Sequence, residues 1–199
     1  LGVPRDRLSV LHNAVPDPGP GPVPRDAAGG PVRILFLGRL GARKGVPELL
    51  AALASEPLRD LDWRAVLAGD GPVDRFRRDA EASGLGTVVT MPGWVDEQEV
   101  RRLCSEADIL VLPSHAEGLA MAVIEGMAHG LTVVTTRVGA HEEVLTDGDT
   151  GVFVPVGDPA ALAATLAALI SDPARRDAWC ISISASGCAS RTTSATGKD

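Results

Sequence analysis

The chain has 199 residues, of which 45% are hydrophobic, and a mean hydropathy of +0.12. This is enough apolar material for one packed domain of ordinary size, and a second full domain does not fit. The net charge of −7 and a pI near 5.1 argue against a nucleic-acid-binding surface, because binding to phosphate backbones depends on clustered positive charge. Any anion site in this chain must therefore be local.

The cysteines and the apolar segments exclude several further classes. Cys104, Cys180 and Cys188 form no CxxC pair and no Cys/His spacing suited to a metal, so neither a disulfide framework nor a zinc site is indicated. The longest apolar stretch, 160–170, is about half of a membrane span, and no basic-plus-apolar signal peptide opens the chain. A reducing cytoplasm is the expected compartment. Because the chain begins at Leu1, we expect an upstream portion to be missing.

Short Val/Ile/Leu runs alternate with helix-forming stretches along the chain. A short strand is predicted at 8–12, and the segment 16–31, with six prolines and four glycines, is a predicted loop or linker. Further strands are predicted at 32–38, 63–69, 87–91, 108–114, 131–136 and 151–156, and helices at 46–55, 73–83, 97–107, 119–130, 141–145 and 160–170. Six strands with helical crossovers predict an α/β fold, a doubly wound, Rossmann-like parallel sheet in a single domain.

Local signals mark the ends of several of these elements. Pro92 and Gly93 are predicted to break the third strand. Asp96 is a good helix N-cap, and Glu99 at the third helical position gives a capping-box pattern. Asp158 and the proline after it form a second helix start.

The domain organisation follows from the change in composition at the two ends. Residues 1–31 form an N-terminal strand and a Pro/Gly-rich loop, and residues 32–179 form the Rossmann-like domain. Residues 180–199 are rich in Ser, Thr and Ala without helical periodicity, and we interpret them as a disordered or non-native tail. A tail that resisted limited proteolysis together with the core would contradict this interpretation.

The first candidate site follows the strand 32–38. Gly38 begins a loop that leads directly into a helix and carries Arg39 and Lys44, and Lys44 is the only lysine of the expected globular body. Two cations separated by small residues can converge on one diphosphate, the arginine as a bidentate fork and the lysine as a point charge. Neither a Walker A loop nor a GxGxxG fingerprint is present. The alternative is a solvated basic turn.

The second candidate site follows the strand 108–114 and also opens a helix. Gly118 is expected to let the backbone turn tightly, and the N–H groups that follow, at Leu119 and Ala120, are unpaired donors that favour a phosphate. No Ser, Thr, Asp or Asn occupies the expected cap position. The two candidate segments are expected to lie together, because ligands of doubly wound sheets bind beyond the carboxyl ends of the strands.

Two glutamates flank the start of this second helix. Glu117 precedes it and Glu125 lies about 8–10 Å further along its axis, at ~1.5 Å per residue, so the two suit opposite ends of one ligand. An ionised carboxylate only accepts hydrogen bonds, and it therefore pairs well with vicinal hydroxyls of a hexose or a ribose. Glu125 lies among apolar residues, where an uncompensated charge is expensive, which disfavours the alternative of an ordinary exposed glutamate.

At this point the residues show a resemblance to a known family. From about residue 9 to residue 175 the chain resembles the C-terminal, donor-binding domain of family-4 retaining glycosyltransferases, which have the two-domain GT-B fold. The matching segments occur in the family's order: HNAVP (12–16), LFLGRLGARKG (35–45), LAGDGP (67–72), PGWV (92–95), ADILVLPS (107–114), EGLAMAVIE (117–125), VGAHEEVL (138–145) and DGDTGVFV (147–154). Any one of these segments is weak, whereas the ordered set is highly specific.

The resemblance implies a role for each candidate residue. Arg39 and Lys44 would bind the donor diphosphate beside Gly38, the backbone at Leu119 and Ala120 would hold its phosphates, Glu117 would contact the hydroxyls of the transferred sugar, and Glu125 those of the ribose. Gly93, Trp94 and Val95 would line the base pocket. The donor is a UDP-, GDP- or ADP-sugar, no metal or other cofactor is expected, and Arg39, Lys44 and Glu117 are the expected catalytic residues.

The resemblance also implies partners. In the family an N-terminal domain binds the acceptor and completes the catalytic cleft, and that domain is absent here, so this chain alone should bind donor and transfer nothing. A parent enzyme peripheral to a membrane is a further expectation. The chain departs from the family pattern at Ala14 and Pro16, where the family has Asn-Gly-Val-Asp, and at Ala140, where it has a second glycine.

Other interpretations stay open. Asp147-Gly148-Asp149 spells the DxD string of metal-dependent glycosyltransferases, but we interpret it as a turn. His115 and His141 receive no catalytic role. One alternative function is a non-catalytic nucleotide-binding module or inert fragment. Another is a flavodoxin-like phosphoacceptor domain, which would need acidic residues where this sequence has Gly38 and Arg39.

Overall fold

A computed structural model describes residues 13–16, 18 and 30–178 of the chain. The described residues form one six-stranded sheet in which every adjacent pair of strands is parallel, in the order β3-β2-β1-β4-β5-β6, with helices on both faces. The predicted doubly wound α/β fold is therefore confirmed. The strands are β1 Val32–Leu37, β2 Trp63–Ala68, β3 Val89–Gly93, β4 Ile109–Leu112, β5 Thr132–Thr136 and β6 Val152–Val154.

The six predicted helices are present, with ends within two residues of the predicted ones, and one further short helix follows the last of them. They are α1 Val46–Leu53, α2 Val73–Ala82, α3 Glu97–Glu106, α4 Met121–Ala128, α5 His141–Val144, α6 Pro159–Ser171 and α7 Pro173–Ala178, with 3₁₀ turns at Ala42–Lys44 and Glu56–Leu58. No helix among the described residues is long and apolar enough to cross a bilayer.

The core lies in the central strands, which are covered on both faces. All four residues of β4 are buried, as are all residues of β1 except Arg33. Strands that are covered on both faces need continuous apolar runs instead of an alternating pattern, which explains the ILFL and ILVL segments. This rigid centre supports the loops that follow β1 and β4.

The strand order distinguishes between the two nucleotide-binding topologies. In the observed order β1 lies next to β4, and the chain reverses its direction of winding between them. This is the dinucleotide-binding type of doubly wound sheet, whereas the flavodoxin-like order places the third strand beside the first. The flavodoxin-like alternative is thereby excluded. The crevice at the reversal lies beyond the carboxyl ends of β1 and β4, where both candidate segments begin.

The third strand corrects the predicted boundary. Pro92 and Gly93 do not break β3 but form its last two residues, and Gly93 is paired in register with Ala68. The reason is that β3 is an edge strand, where a proline costs no hydrogen bond on the unpaired side. The register also shifts between Val66 and Ala68, as expected at an irregular strand end.

The two predicted N-caps are confirmed. The Asp96 carboxylate accepts from the Glu99 backbone N–H at 2.8 Å, and the Asp158 carboxylate accepts from the Ala161 N–H at 2.9 Å. The other half of the predicted capping box is replaced by an ion pair, because the Glu99 carboxylate binds Arg102 at 2.6 Å. The predicted strand 8–12, most of the linker 16–31 and the tail 180–199 lie outside the described residues.

Candidate functional site

The loops after β1 and β4 pack directly against each other. The His115 backbone N–H donates to the Arg43 carbonyl at 2.8 Å, which joins the two loops. A Cβ on Gly45 would lie 2.0 Å from the Pro113 carbonyl oxygen, so only glycine allows this approach, and its φ of +71° is also one that favours glycine. The two predicted segments therefore form one continuous surface at the crevice.

Lys44 and Glu117 form an ion pair at the centre of this surface. Lys44 Nζ lies 2.5 Å from Glu117 Oε1, and the two side chains are only 16% and 7% exposed. The Ser114 hydroxyl donates to the same carboxylate oxygen at 2.7 Å. The sequence predicted neither the pairing of Lys44 with Glu117 nor the part of Ser114, because the lysine and the glutamate are 73 positions apart.

Arg39 occupies a more exposed position at the rim. Its guanidinium binds the Asp70 carboxylate at 2.9 Å, and the side chains are 70% and 54% exposed. Asp70 follows the end of β2 and its carbonyl accepts from the Leu40 N–H at 2.7 Å, so it orders the loop that carries Arg39. The position of Asp70 directly after a strand, in the GDGP turn, is the signal that could have found it.

The start of α4 lacks a side-chain cap, as predicted. Ala120 is its N-cap residue, and no capping hydrogen bond from a described side chain satisfies the first N–H groups. Gly118 lies in a bend, but this bend does not require a glycine: its φ is not positive, and a Cβ built on it would meet no atom within 4 Å. Space is therefore open above Gly118, and the tight fit occurs elsewhere.

The tight fit is made by Gly139, on the loop after β5. Gly139 has φ +58°, and a Cβ on it would lie 1.9 Å from the Gly118 carbonyl oxygen. The next residue, Ala140, donates its N–H to the same carbonyl at 2.8 Å. Ala140 has φ −99°, which any residue adopts, so alanine replaces the family's second glycine without strain. The β5 loop thus supports the Gly118 turn from behind.

Asn13 supports the same turn from the other end of the chain. Its side-chain amide donates to the Leu119 carbonyl at 3.2 Å. Leu119 is one of the residues whose backbone was predicted to bind phosphate. The HNAVP segment is therefore structurally connected to the site despite its departures from the family pattern.

Glu125 lies half-buried in the middle of α4. Burial raises the pKa of its carboxyl above the usual range, and the negative charge of Glu97 acts in the same direction. Glu97 opens α3, directly after the segment Gly93–Val95. The predicted ribose residue and the predicted base-binding segment are therefore near each other, and Glu97 is an acidic neighbour that the sequence did not reveal. Trp94 in this segment is 74% exposed.

The two histidines of the site loops have structural contacts. His115 Nε2 lies 2.9 Å from Glu48 Oε1, on α1. His141 is fully buried, and its Nδ1 lies 3.1 Å from the Thr136 carbonyl oxygen and 3.2 Å from the Thr135 hydroxyl. Both histidines connect the loops at the carboxyl edge to the elements that lie beneath them.

The DxD string is a turn, as predicted. Gly148 has φ +71°, and both oxygens of the Asp147 carboxylate are occupied, one by the Phe153 N–H at 3.0 Å and the other by Arg137 at 2.7 Å. Within residues 13–16, 18 and 30–178, no cluster of three or more His, Cys, Asp or Glu residues is arranged to hold a metal ion.

The fold and the site together define a class, a doubly wound α/β domain whose crevice has a partly buried lysine–glutamate pair at its centre. Residues 24–181 match the family described as "Glycosyl transferases group 1", and the chain belongs to this family. Its architecture is that of one Rossmann-like half of the GT-B fold.

Individual relatives agree with this assignment. The chain is 32% identical over 175 residues to the putative colanic acid biosynthesis glycosyltransferase WcaL of Escherichia coli, a match that covers 84% of this chain and 43% of WcaL. It is similar to the C-terminal domain of the group 1 glycosyl transferase LpcC of Francisella tularensis, with a TM-score of 0.68, 29% identity and coverage of 75% of this chain and 80% of that one.

A more distant structure shares the fold alone. Anabaena HepE, solved in complex with UDP and glucose, has a TM-score of 0.68 and 22% identity, and the match covers 75% of this chain and 41% of HepE. The chain thus spans less than half the length of WcaL and of HepE.

Proposed function

We propose that this chain is the nucleotide-sugar-binding domain of a retaining glycosyltransferase, and that it holds the donor for an acceptor bound by an N-terminal domain. The observation that carries the proposal is the partly buried Lys44–Glu117 pair, which lies beside the uncapped start of α4. The site combines a cation, free backbone N–H groups and a carboxylate. These are the groups required by a diphosphate joined to a sugar.

Lys44 is the central diphosphate ligand in this proposal. Glu117 neutralises its charge, and the lysine side chain is 16% exposed. A pyrophosphate that arrives at the start of α4 offers Lys44 a stronger anionic partner, and the open space above Gly118 admits it. Arg39, at the exposed rim, exchanges Asp70 for phosphate in the same way. The helix dipole of α4 completes the phosphate site, together with the backbone N–H groups of Leu119 and Ala120, which lie just before the helix.

Glu117 then faces the transferred sugar, and Glu125 the ribose. Each carboxylate accepts hydrogen bonds from hydroxyl groups. Gly93, Trp94 and Val95 line the base pocket, where the exposed indole of Trp94 offers a stacking surface. The raised pKa of Glu125 supports this assignment, because a half-buried carboxylate that has no cationic partner among residues 30–178 favours the arrival of hydroxyl donors.

The catalytic contribution of this domain is stabilisation of the leaving group. When the bond between the sugar and the diphosphate breaks, negative charge develops on the β-phosphate. In this proposal Arg39, Lys44 and the α4 N-terminus stabilise that charge, a role that a divalent cation has in metal-dependent enzymes. We therefore propose a metal-independent reaction in which Glu117 orients the sugar.

A thermal-shift panel of UDP, GDP and ADP tests the proposal on the 199-residue chain. We expect one of the three nucleotides to raise the melting temperature, because a ligand that binds only the folded state stabilises it. Lys44→Ala should abolish the shift, whereas Arg43→Ala is the matched control, since Arg43 is exposed on the same turn. The proposal is wrong if no nucleotide stabilises the chain, or if Lys44→Ala leaves the shift unchanged.

A further inference from the structure

Ser114 is a fully buried polar residue at the end of β4 that none of the donor-binding roles above uses. Its side chain is 0% exposed, and its hydroxyl donates to Glu117 Oε1 at 2.7 Å. The same oxygen accepts from Lys44 Nζ at 2.5 Å. One carboxylate oxygen therefore has two donors, one charged and one neutral.

Binding of a nucleotide sugar affects these two hydrogen-bond donors differently. If the donor diphosphate takes Lys44, the Glu117 carboxylate loses its charged partner while its side chain is only 7% exposed. A carboxylate in such surroundings needs hydrogen-bond donors, and the serine hydroxyl is the donor that stays in place. Without the serine hydroxyl, we expect the carboxylate to move with Lys44 or to rotate towards water, because a buried carboxylate without hydrogen-bond donors is unfavourable.

Ser114 is itself held firmly from beneath. Its carbonyl accepts from the buried Thr136 hydroxyl at 2.6 Å, which joins the ends of β4 and β5. In the next residue along the chain, the N–H of His115 donates to the Arg43 carbonyl at 2.8 Å. The serine hydroxyl is therefore fixed relative to the sheet, because it lies on a short side chain whose backbone is bonded to neighbouring elements.

We propose that Ser114 is a positioning residue that holds Glu117 in its sugar-binding orientation, and that it thereby sets the selectivity of the site for a nucleotide sugar over the free nucleoside diphosphate. This proposal rests on the function proposed above. Ser114 touches neither phosphate nor sugar, so its effect is exerted through Glu117 alone. It also explains why a hydroxyl is present at a position that is otherwise suited to an apolar core residue.

The test is the affinity of Ser114→Ala for three ligand pairs, UDP with UDP-glucose, GDP with GDP-mannose and ADP with ADP-glucose, measured by calorimetry. For a pair in which the wild-type chain prefers the nucleotide sugar, we expect Ser114→Ala to lower that affinity about tenfold, as is typical for loss of a hydrogen bond to a charged group. The affinity for the matching nucleoside diphosphate should change less than about twofold. Ser114→Cys, which has a similar size but is a weak donor, should act in the same direction.

Two controls separate positioning from general destabilisation. In a Glu117→Ala background, the substitution Ser114→Ala should have no further effect on the ratio of the two affinities. Thr135→Val removes a different buried hydrogen bond at the same sheet edge, from the Thr135 hydroxyl to the Leu112 carbonyl at 2.9 Å, and should leave the ratio unchanged.

The outcomes distinguish this inference from the function on which it rests. If the wild-type chain binds none of the six ligands, the proposed function itself fails. If the wild-type chain binds nucleotides, the positioning role of Ser114 is overturned by any of three results. These are no preference for the sugar in any pair, an equal loss for both members of a pair in Ser114→Ala, or an effect that persists without Glu117.

Discussion

At Glu125, what favours folding is opposed to what favours the proposed binding of a ribose. Its half-buried carboxyl has a raised pKa, caused first by burial and then by the charge of Glu97. The folded chain therefore binds this proton more tightly than the unfolded chain does. The free energy of unfolding therefore decreases as the pH rises from the usual pKa range of a glutamate through the raised pKa of Glu125. Above that raised pKa the loss of stability is complete.

The first prediction follows from that sign. Glu125→Gln removes the charge and should make the chain more stable than wild type at neutral pH, with the difference disappearing as the pH falls below the usual glutamate range. Urea unfolding at a series of pH values measures this, with the exposed Glu81→Gln as the control. Nucleotide affinity should fall about tenfold in Glu125→Gln, since an amide replaces a charged acceptor. A glutamine variant less stable than wild type at neutral pH would contradict the argument.

Gly139 is the residue on which the position of the Gly118 turn depends. A Cβ there would meet the Gly118 carbonyl oxygen at 1.9 Å, at a φ of +58°. We expect Gly139→Ala to lower the free energy of unfolding by more than about 2 kcal/mol, because backbone strain and displacement of the turn add. Nucleotide affinity should fall as well, since the turn carries the phosphate-binding N–H groups.

Gly148 provides the matched comparison for this second prediction. It has a similar φ of +71°, but a Cβ on it would meet no atom within 4 Å. Gly148→Ala should therefore cost only the backbone strain, about 1–2 kcal/mol, and leave nucleotide affinity unchanged. Chemical denaturation of the two variants side by side measures the difference, and equal costs would show that contact with the turn is unimportant.

At the scale of elements, α4 differs from α3 and α6 in the way it begins. The N-caps of α3 and α6 are aspartates with short hydrogen bonds, whereas the N-cap of α4 is Ala120, without a capping hydrogen bond from any described side chain. A helix that begins without a cap lowers the free energy of unfolding by about 1 kcal/mol relative to one with a cap. In the proposed function this stability is given up so that phosphate can approach the start of α4 and the N–H groups of Leu119 and Ala120 that precede it.

The third prediction tests that trade-off. Ala120→Ser supplies a cap and should raise the free energy of unfolding by about 0.5–1 kcal/mol, because its hydroxyl accepts from an N–H of the first helical turn. It should lower the affinity for the nucleoside diphosphate, because the hydroxyl then competes with phosphate for the start of α4. Asp158→Ala is the complementary control, which should cost about 1 kcal/mol with no change in affinity. Denaturant unfolding and calorimetry measure the two quantities. An Ala120→Ser chain that gained stability and kept its full affinity would show that phosphate does not use this helix start.

At the scale of the whole molecule, the chain corresponds to less than half of the relatives that it matches. It spans 43% of the length of WcaL and 38% of that of a Streptomyces kanamyceticus α-D-kanosaminyltransferase to which it is 32% identical. The loops after β1 and β4 lie at the carboxyl edge of the sheet, and in the proposed function the acceptor is held at this edge by a second domain. In the proposed function, transfer therefore requires a second surface that completes the cleft.

The fourth prediction follows from this geometry. The chain alone should bind nucleotide sugar without transferring the sugar to an added acceptor, and addition of a separately produced N-terminal domain should restore transfer, measured as release of nucleoside diphosphate. The Lys44→Ala chain with the same N-terminal domain should release none above background. Donor binding with no transfer in any combination would favour the alternative of a non-catalytic nucleotide-binding module.

Much of the architecture was predictable from the sequence because it depends on local, periodic signals. Continuous apolar runs such as ILVL identified the buried strands, and Asp96 and Asp158 identified helix starts from a few neighbouring residues. The two loops of the site were predictable for the same reason, since each follows a strand and opens a helix. The family resemblance then supplied the roles of Lys44 and Glu117, which local patterns alone left open.

Only the tertiary structure decided how these parts meet. The bond from Lys44 to Glu117 spans 73 positions, and the contact of Gly139 with the Gly118 carbonyl joins loops that follow different strands. The edge position of β3, which accommodates Pro92, likewise depends on the strand order. Such features are set by which strands become neighbours, and no local pattern encodes that. The sequence by itself therefore determined the elements and the chemistry of the site loops, whereas packing of the sheet determined the partners of each side chain.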